Sequence, residues 1–262
     1  MINKSPLRYP GGKTRAINVL NKYVETYYPT KRTLLSPFFG GGSFELYLQG
    51  KGYTIIGNDK FKPLYKFWET AKTSPAELAN NVRERMPISK EVFGRLRESI
   101  YELEDDIEIA AAYYIINRCS FSGSTFCGGY SSQSAEGRLT ESSLKTLTNL
   151  KLDSTTFRNM DCTNFLAEFP ETEDTLVYAD PPYYITNYIY GKDGDMHETF
   201  DHESFAREIK KRSDWILSYN DCEYIRNLYS DCRIFKESWK YGMNASKNSS
   251  EVIILPSLKE ED

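Results

Sequence analysis

The sequence predicts an α/β fold in which the sheet is interrupted by a mostly helical insertion, and three observations support this prediction. A strand pattern at residues 33–35 is followed by a glycine-rich turn, a helical run and a second strand pattern that ends in Asp59. Residues 61–150 carry long helical patterns and no convincing strand, and strand patterns return after residue 150. We therefore expect residues 1–60 and 151–262 to form one domain and residues 61–150 to form an inserted one.

The composition of the 262-residue chain fits a protein with a full hydrophobic core. Hydrophobic residues make up 40% of the chain, and no apolar stretch approaches the ~20 residues needed to cross a bilayer. The first residues lack the apolar region of a signal peptide, so we expect a cytoplasmic protein without membrane partners. The five cysteines are odd in number and include no Cys-x-x-Cys pair, which favours reduced thiols.

The charged residues and histidines narrow the possible functions further. His197 and His202 are the only histidines, and both are expected at the surface, so no metal site is predicted. The net charge of −4 hides an uneven distribution, because residues 1–33 carry seven basic side chains against the single Glu25. A second basic cluster, residues 207–212, is expected on a helix, where a solvated face explains it more simply than DNA binding does.

The first elements follow the order of a nucleotide-binding unit. After the strand at 33–35 come a glycine-rich turn at 36–43, a helix at 44–49 and a strand at 53–59. Glycines let a ligand approach the backbone, and Asp59 is placed to accept hydrogen bonds from ribose hydroxyls. The alternative is that these glycines only make a turn.

The inserted region is predicted to be helical except near its end. Residues 120–138 are polar, rich in glycine and too long for an idle connection, so we expect a loop or hairpin there. Phe121 or Tyr130 is expected to pack in the insertion's own small core. The predicted helices are 76–85, 90–103, 107–119, 163–169, 202–212 and 222–229, and the later strands are 154–158, 176–179, 215–218, 233–236 and 251–255.

The most informative segment is Asp180-Pro181-Pro182-Tyr183, which follows the apolar strand pattern at 175–179. Two consecutive prolines cannot supply ladder hydrogens, so the strand must end there. A carboxylate and an aromatic ring then stand at the carboxyl end of a strand, where open α/β sheets bind ligands. The simpler interpretation is a strand-terminating turn that Asp180 caps.

Four ordered motifs make the chain resemble the Dam-like class of DNA adenine N6-methyltransferases. They are Tyr9-Pro10-Gly11-Gly12-Lys13, Pro37-Phe38-Phe39-Gly40-Gly41-Gly42-Ser43, Asp59 and Asp180-Pro181-Pro182-Tyr183. The resemblance covers nearly the whole chain and includes the segments 117–118, 215–220 and 249–252. It implies a Rossmann-like S-adenosylmethionine-dependent methyltransferase sheet whose helical insertion recognises double-stranded DNA. The residues it implies for binding S-adenosylmethionine are Tyr9, Gly12, Lys13, Phe39, Gly40, Gly42, Ser43, Asp59, Asp161 and Asp180.

The resemblance also implies how the reaction proceeds. Asp180 and the Pro181 carbonyl accept the two hydrogens of the adenine amino group, and Tyr183 stacks on a base flipped out of the duplex. Pro182 completes the catalytic motif, and the loop at 184–200 is expected to close over the base. The residues expected to read base edges or phosphates are Asn117, Arg118, Ser122, Ser124, Gln133 and Arg138.

One position departs from the family pattern, and several alternatives stay open. The family usually has an acidic residue before Pro37, where this chain has Ser36, which cannot neutralise the cationic end of the cofactor. A P-loop would need a glycine at Leu7 and a strand upstream, and neither is present. An RNA substrate and an inactive DNA-binding protein remain alternatives. A separately acting restriction endonuclease is compatible with the sequence, and we expect a monomer without excluding a dimer.

Overall fold

The computed structural model describes residues 4–9, 11–184, 200–240 and 248–257. Seven strands in this part of the chain form one sheet in the order β3-β2-β1-β4-β5-β7-β6. Strands β1 to β5 are parallel, and β7 runs antiparallel to its neighbours β5 and β6. The strands are β1 (Thr33–Ser36), β2 (Thr54–Asn58), β3 (Thr155–Arg158), β4 (Thr175–Ala179), β5 (Trp215–Asn220), β6 (Arg233–Lys240) and β7 (Asn248–Leu255).

The strand order creates a switch point between β1 and β4. From β1 the chain moves outward to β2 and β3, and it then returns to place β4 on the other side of β1. Connections leave β1 and β4 in opposite directions, so a crevice opens at their carboxyl ends. Ser36 ends β1 and Ala179 ends β4, which brings the glycine-rich turn and Asp180 to the same edge of the sheet.

Successive residues of the central strands point to opposite faces of the sheet, and a layer of helices covers each face. On β1, Leu34 packs on one face of the sheet and Leu35 on the other. The helices in the described residues are α1 (Ile17–Tyr27), α2 (Ser43–Gly50), α3 (Lys62–Thr73), α4 (Pro75–Glu84), α5 (Lys90–Ser99), α6 (Asp106–Cys119), α7 (Ser132–Arg138), α8 (Glu141–Thr148), α9 (Cys162–Glu168), α10 (His202–Ile209) and α11 (Glu223–Leu228). The core of α1 to α8 lies on the Leu34 face, and the core of α9 to α11 lies on the Leu35 face.

Helices α3 to α8 come between β2 and β3 in the sequence. Their buried side chains belong to the same core as one face of the sheet. Phe67 on α3 stacks on Tyr114 of α6 with ring centroids 5.6 Å apart. Its neighbour Trp68 meets Phe39 of the glycine-rich turn edge-on at 5.1 Å and donates a hydrogen bond from Nε1 to the Gly40 carbonyl at 2.9 Å. The inserted helices therefore support the turn directly. The division into two domains at residues 61 and 150 stays a prediction.

The predicted strands and most helices agree with the structure to within a few residues, and three differences stand out. Residues 132–138 form helix α7 where a loop or hairpin was predicted, because Ser131 caps it by accepting a hydrogen bond from the Ser134 amide. The prediction for 90–103 was too long, since α5 ends at Ser99. Helices α1, α3 and α8 were not predicted.

His202 is buried, and the prediction that it lies at the surface was wrong. Its side chain packs among aromatic rings, and Nδ1 lies 2.8 Å from the Tyr219 hydroxyl. His197 and most of the loop predicted at 184–200 lie outside the described residues. Within the described ranges, no helix combines the length and apolar character needed to cross a membrane, and no cluster of His, Cys, Asp and Glu could hold a metal ion.

Candidate active site

A cavity of about 300 Å³ lies at the carboxyl ends of β1, β2 and β4, in the crevice at the switch point. Each of the ten residues predicted to bind the cofactor contributes to its lining, as does Pro182. Residues from five separate stretches of sequence thus meet in one place. The predicted cofactor-binding residues that line the cavity are Tyr9, Gly12, Lys13, Phe39, Gly40, Gly42, Ser43, Asp59, Asp161 and Asp180.

The glycines of the turn between β1 and α2 leave space for two aromatic rings. Gly42 has φ of 64°, and a Cβ there would lie 2.5 Å from the Phe39 ring. A Cβ at Gly41 would lie 2.6 Å from Cβ of Tyr9. Larger residues at either position would displace Phe39 or Tyr9, which are both part of the cavity wall.

Asp59 follows β2, and backbone amides hold its carboxylate. Oδ2 accepts a hydrogen bond from the Gly40 amide and Oδ1 accepts one from the Phe61 amide, both at 3.0 Å. Burial raises the pKa of Asp59 to about 6, although these two amide bonds act in the opposite direction. The carboxylate is fixed in the cavity wall with lone pairs still able to accept hydrogen bonds from a ligand.

Asp161 lies on the neighbouring side of the cavity, after β3. Its Oδ1 accepts hydrogen bonds from the Thr163 amide at 3.0 Å and the Thr163 hydroxyl at 2.8 Å, so it caps helix α9. Lys60 lies 3.1 Å from Oδ2. Burial alone raises the pKa of Asp161, but the bonds from Thr163 and Lys60 outweigh this effect and lower it. Asp161 therefore has a structural role in addition to any contact with a ligand.

Asp180 stands at the end of β4 with both carboxylate oxygens held. Oδ1 accepts a hydrogen bond from the Ser218 hydroxyl at 2.8 Å, and Oδ2 lies 2.7 Å from Nζ of Lys13. Lys13 is itself buried and also donates to the Gly11 carbonyl at 3.0 Å. An ion pair in the cavity thus joins the motif near the N-terminus to the motif after β4, and this contact is also a charge-assisted hydrogen bond.

Tyr183 connects this ion pair to a buried carboxylate that the sequence had indicated only as part of a segment. The Tyr183 hydroxyl accepts a hydrogen bond from Lys13 at 2.8 Å and donates one to Oε2 of Glu251 at 2.6 Å. Glu251 lies on β7 and is fully buried. Neither Pro181 nor Tyr183 is among the residues that line the cavity, so they stand at its border.

Ser36 does not reach the cavity, and a different residue brings a carboxylate there. The Ser36 side chain is fully buried and donates a hydrogen bond from Oγ to Oε1 of Glu45 at 2.9 Å. Glu45 lies in the first turn of α2 and lines the cavity. Sequence reasoning missed Glu45, because a glutamate in a helix after a glycine-rich turn belongs to no motif. Its role becomes visible only when the Ser36 side chain is seen to point toward it.

Asn117 does not fit the predicted contact with DNA, because its side chain is fully buried. Its Oδ1 accepts a hydrogen bond from the Arg8 amide at 3.0 Å, and its Nδ2 donates to the Arg8 carbonyl at 2.6 Å. Nδ2 also donates to the hydroxyl of Thr125 at 3.1 Å. Asn117 thus fastens the N-terminal segment and the following loop to helix α6.

Arg118 is also engaged with the backbone. Its guanidinium donates to the carbonyls of Pro6, at 3.2 Å, and of Arg138. Burial, followed by the charges of Arg138 and Arg118, lowers the pKa of Arg8, which shows that the three guanidinium groups share one region. Arg138 is exposed at the end of α7. A positively charged area therefore surrounds the anchored N-terminal segment.

The other predicted DNA contacts lie on or beside the loop at 120–130. Ser122 has φ of 61° and a buried hydroxyl without a hydrogen-bond partner, and Ser124 donates to the Phe121 carbonyl at 2.6 Å. Gln133 is exposed at the start of α7. Of the two aromatic residues considered for the core of the insertion, Phe121 does not pack there, since its side chain is 66% exposed. Tyr130 packs against Phe93 and donates to the Ile88 carbonyl.

The fold and the cavity define an α/β methyltransferase, and the comparison with protein families gives the particular family. The D12 class N6 adenine-specific DNA methyltransferase family matches residues 9–243, about nine tenths of the chain. The chain belongs to this family and is an adenine-specific DNA methyltransferase. No curated protein matches it.

Proposed function

We propose that this enzyme transfers a methyl group from S-adenosylmethionine to N6 of an adenine that has been flipped out of a short duplex motif. The observation that carries the proposal is the position of Asp180. It stands at the carboxyl end of β4, at the switch point of the sheet and in the wall of a cavity lined by all the predicted cofactor residues. The carboxylate and the expected methyl donor thus share one space.

The residues of the cavity fit S-adenosylmethionine, which supplies an activated methyl group on a sulfonium when bound. The Asp59 carboxylate, fixed by two amides, is suited to accept hydrogen bonds from ribose hydroxyls. Asp161 and Phe39 would border the adenine at the β2–β3 side. Lys13 and Glu45 lie in the same wall and would meet the charged amino-acid end. These residues support the proposal that the cavity binds S-adenosylmethionine.

Asp180 and Pro181 prepare the acceptor nitrogen. The adenine N6 is a poor nucleophile because its lone pair is delocalised into the ring. The Asp180 carboxylate and the Pro181 carbonyl would accept its two hydrogens, which favours a pyramidal nitrogen with a directed lone pair. The carboxylate also stabilises positive charge that develops on N6. Ser218 and Lys13 fix both Asp180 oxygens, so little reorganisation is needed when the base arrives.

Tyr183 is placed to hold the extruded base. Flipping costs a few kcal/mol because stacking and pairing are lost. Tyr183 stands at the cavity border, and Lys13 and Glu251 fix its hydroxyl, so the ring has a defined orientation. Stacking on a fixed aromatic ring recovers about 1–3 kcal/mol per base.

The loop at 120–130 and the nearby arginines form the proposed DNA-binding surface. Phe121 is a large exposed apolar ring, held at the base of the loop by a hydrogen bond from its amide to the Gly129 carbonyl at 2.8 Å. Arg8, Arg118 and Arg138 bring positive charge to the same region, which suits phosphates. An apolar ring in such a surface is suited to enter the base stack. Ser124 and Gln133 stay candidates for contacts with base edges.

Methyl transfer by the purified protein tests this function. Wild type and Asp180→Asn are given S-adenosylmethionine labelled in the methyl group, with double-stranded DNA or RNA as acceptor. We expect labelled N6-methyladenine in DNA from the wild type, and at least about 100-fold less from the variant, which keeps the shape of the motif but lacks the anion. Label in RNA alone, or none in either despite cofactor binding, would contradict the proposal.

A further inference from the structure

Glu45 is a carboxylate in the cavity wall whose presence the catalytic chemistry does not explain. It lies in the first turn of α2, and only 4% of it is exposed. It borders the same cavity as Asp59 and Asp180. A glutamate is almost never buried to this extent without a compensating partner.

The partner that Glu45 has is neutral. The Ser36 hydroxyl donates to Oε1 at 2.9 Å, and among the described residues no lysine or arginine forms an ion pair with Glu45. The charged groups that affect the Glu45 carboxyl most are Asp180, just after β4, and Lys13, which is already paired with Asp180. Burial raises the pKa of Glu45 to about 7, and the Ser36 hydrogen bond acts against that rise. Without a ligand, a proton neutralises Glu45 below about pH 7. A cation bound beside it in the cavity would take the place of that proton.

The position of Glu45 in the cavity indicates which cation. Asp59 and Asp161 follow β2 and β3, on one side of the switch point. Lys13, Glu45 and Asp180 lie on the β1–β4 side. Lys13 already donates to three acceptors, including Asp180 and Tyr183. Glu45 instead presents to the cavity a carboxylate that can accept a hydrogen bond from an ammonium group.

We propose that Glu45 is a cofactor-recognition residue that accepts a hydrogen bond from the α-ammonium group of S-adenosylmethionine, with Ser36 fixing the orientation of its carboxylate. The inference rests on the proposed function. Ser36 cannot supply the acid that the family usually has at its position, and Glu45 in the first turn of α2 would supply it instead. The acid that recognises the amino-acid end would then come from a helix instead of from the end of β1.

Binding measurements with three ligands test this role. S-adenosylmethionine and S-adenosylhomocysteine both carry the α-ammonium group, whereas 5′-methylthioadenosine has the same adenine and ribose without it. We expect Glu45→Gln to bind the first two about 10- to 100-fold more weakly and to bind 5′-methylthioadenosine within about twofold of the wild type. Ser36→Ala should give the same pattern with a smaller loss, because the carboxylate remains but is less well fixed.

Asp59→Asn provides the contrasting control, since it removes a proposed ribose contact and should weaken all three ligands. The inference is overturned if Glu45→Gln binds S-adenosylmethionine as the wild type does. It is also overturned if that variant loses all three ligands equally, because Glu45 would then act through the fold. Failure of the wild type to bind any of the three would instead reject the proposed cofactor, so the two outcomes are distinguishable.

Discussion

Lys13 joins the motif near the N-terminus to the motif that follows β4. It contacts the Gly11 carbonyl, the Asp180 carboxylate and the Tyr183 hydroxyl. The Tyr183 hydroxyl in turn donates a hydrogen bond to Glu251 on β7. The orientation of the proposed stacking ring thus depends on the same cation that holds the catalytic carboxylate.

Two substitutions at Tyr183 separate its ring from its hydroxyl. Tyr183→Phe keeps the ring and leaves Glu251 without this donor, so kcat/KM for DNA should fall about 10-fold. Tyr183→Ala also removes stacking worth about 1–3 kcal/mol, so its kcat/KM for DNA should be a further 10- to 100-fold lower. Steady-state methyl transfer at saturating cofactor measures both. Equal losses in the two variants would show that the ring does not hold the base.

The buried carboxyl of Glu45 predicts a pH dependence of stability for the protein without ligand. The fold keeps the proton on Glu45 up to about pH 7, whereas its ordinary pKa is 4.5. The unfolded chain therefore binds fewer protons between these values, and the free energy of unfolding falls as pH rises through this window. Relative to the wild type, Glu45→Gln should become more stable by on the order of 2 to 3 kcal/mol between pH 4.5 and 8.

Urea unfolding of both proteins at several pH values measures this difference. A constant difference between wild type and Glu45→Gln across the range would mean that the carboxyl is ionised throughout. Asp59 contributes in the same direction, because burial raises its pKa to about 6. That contribution is common to both proteins and cancels in the comparison.

Sequence reasoning found the residues of the cavity that carry motif signals and missed those that depend on side-chain direction. The ten predicted cofactor residues meet in one cavity because the parallel strands place their carboxyl ends together. Glu45 could not be found in this way, since its importance depends on Ser36 pointing toward α2. Asn117 was predicted to contact DNA because it is polar. It is buried because other segments pack on helix α6, and the sequence does not show which segments those are.

The loop at 120–130 has an unusual backbone conformation and carries an exposed aromatic ring. Ser122, Gly123 and Thr125 all have positive φ, which is uncommon for serine and threonine. Buried hydrogen bonds hold this conformation, including those of the Ser120 hydroxyl with the Thr125 amide and of Asn117 with Thr125. These hydrogen bonds fix a loop conformation in which the Phe121 ring is exposed.

Phe121 and Phe126 give a matched pair on this loop, since they are 66% and 3% exposed. Phe121→Ala should change the free energy of unfolding by less than about 0.5 kcal/mol and lower kcat/KM for DNA about 10- to 100-fold. Phe126→Ala should destabilise the fold by about 3–5 kcal/mol. Thermal unfolding and methyl transfer measure the two effects. Unchanged methylation by Phe121→Ala would contradict the DNA-binding role of the loop.

Elements with strong patterns were predictable, and those fixed by capping or tertiary contacts were not. The strand at 175–179 is fully buried, and its apolar run and the prolines after it leave little ambiguity. Helix α7 follows from a single cap at Ser131 in a segment rich in glycine and serine, whose composition favours a loop. His202 is buried because aromatic residues from several elements enclose it, which no local pattern reveals.

At the scale of the whole molecule, one continuous core joins the inserted helices to the sheet. Leu34 of β1, Trp68 of α3 and Leu144 of α8 belong to the same cluster. Because the Trp68 indole also supports Gly40 of the cavity wall, the insertion stabilises the site that it neighbours.

This continuity predicts that the described regions unfold together. Tryptophan fluorescence, whose three reporters include Trp68 and Trp215 on opposite faces of the sheet, and far-ultraviolet circular dichroism should give coincident transitions in urea. Two separated transitions would show that the region at 61–150 is an independent unit, as its helical pattern suggested.

The most direct test of the account is the methylation pattern that the enzyme leaves on DNA. Plasmid DNA from methylase-free cells that express the wild type or Asp180→Ala is read by single-molecule sequencing. The account predicts N6-methyladenine in one short motif with the wild type and none with the variant. Unmodified DNA from a wild-type protein that is folded and binds S-adenosylmethionine would contradict it, as would modification that persists in Asp180→Ala.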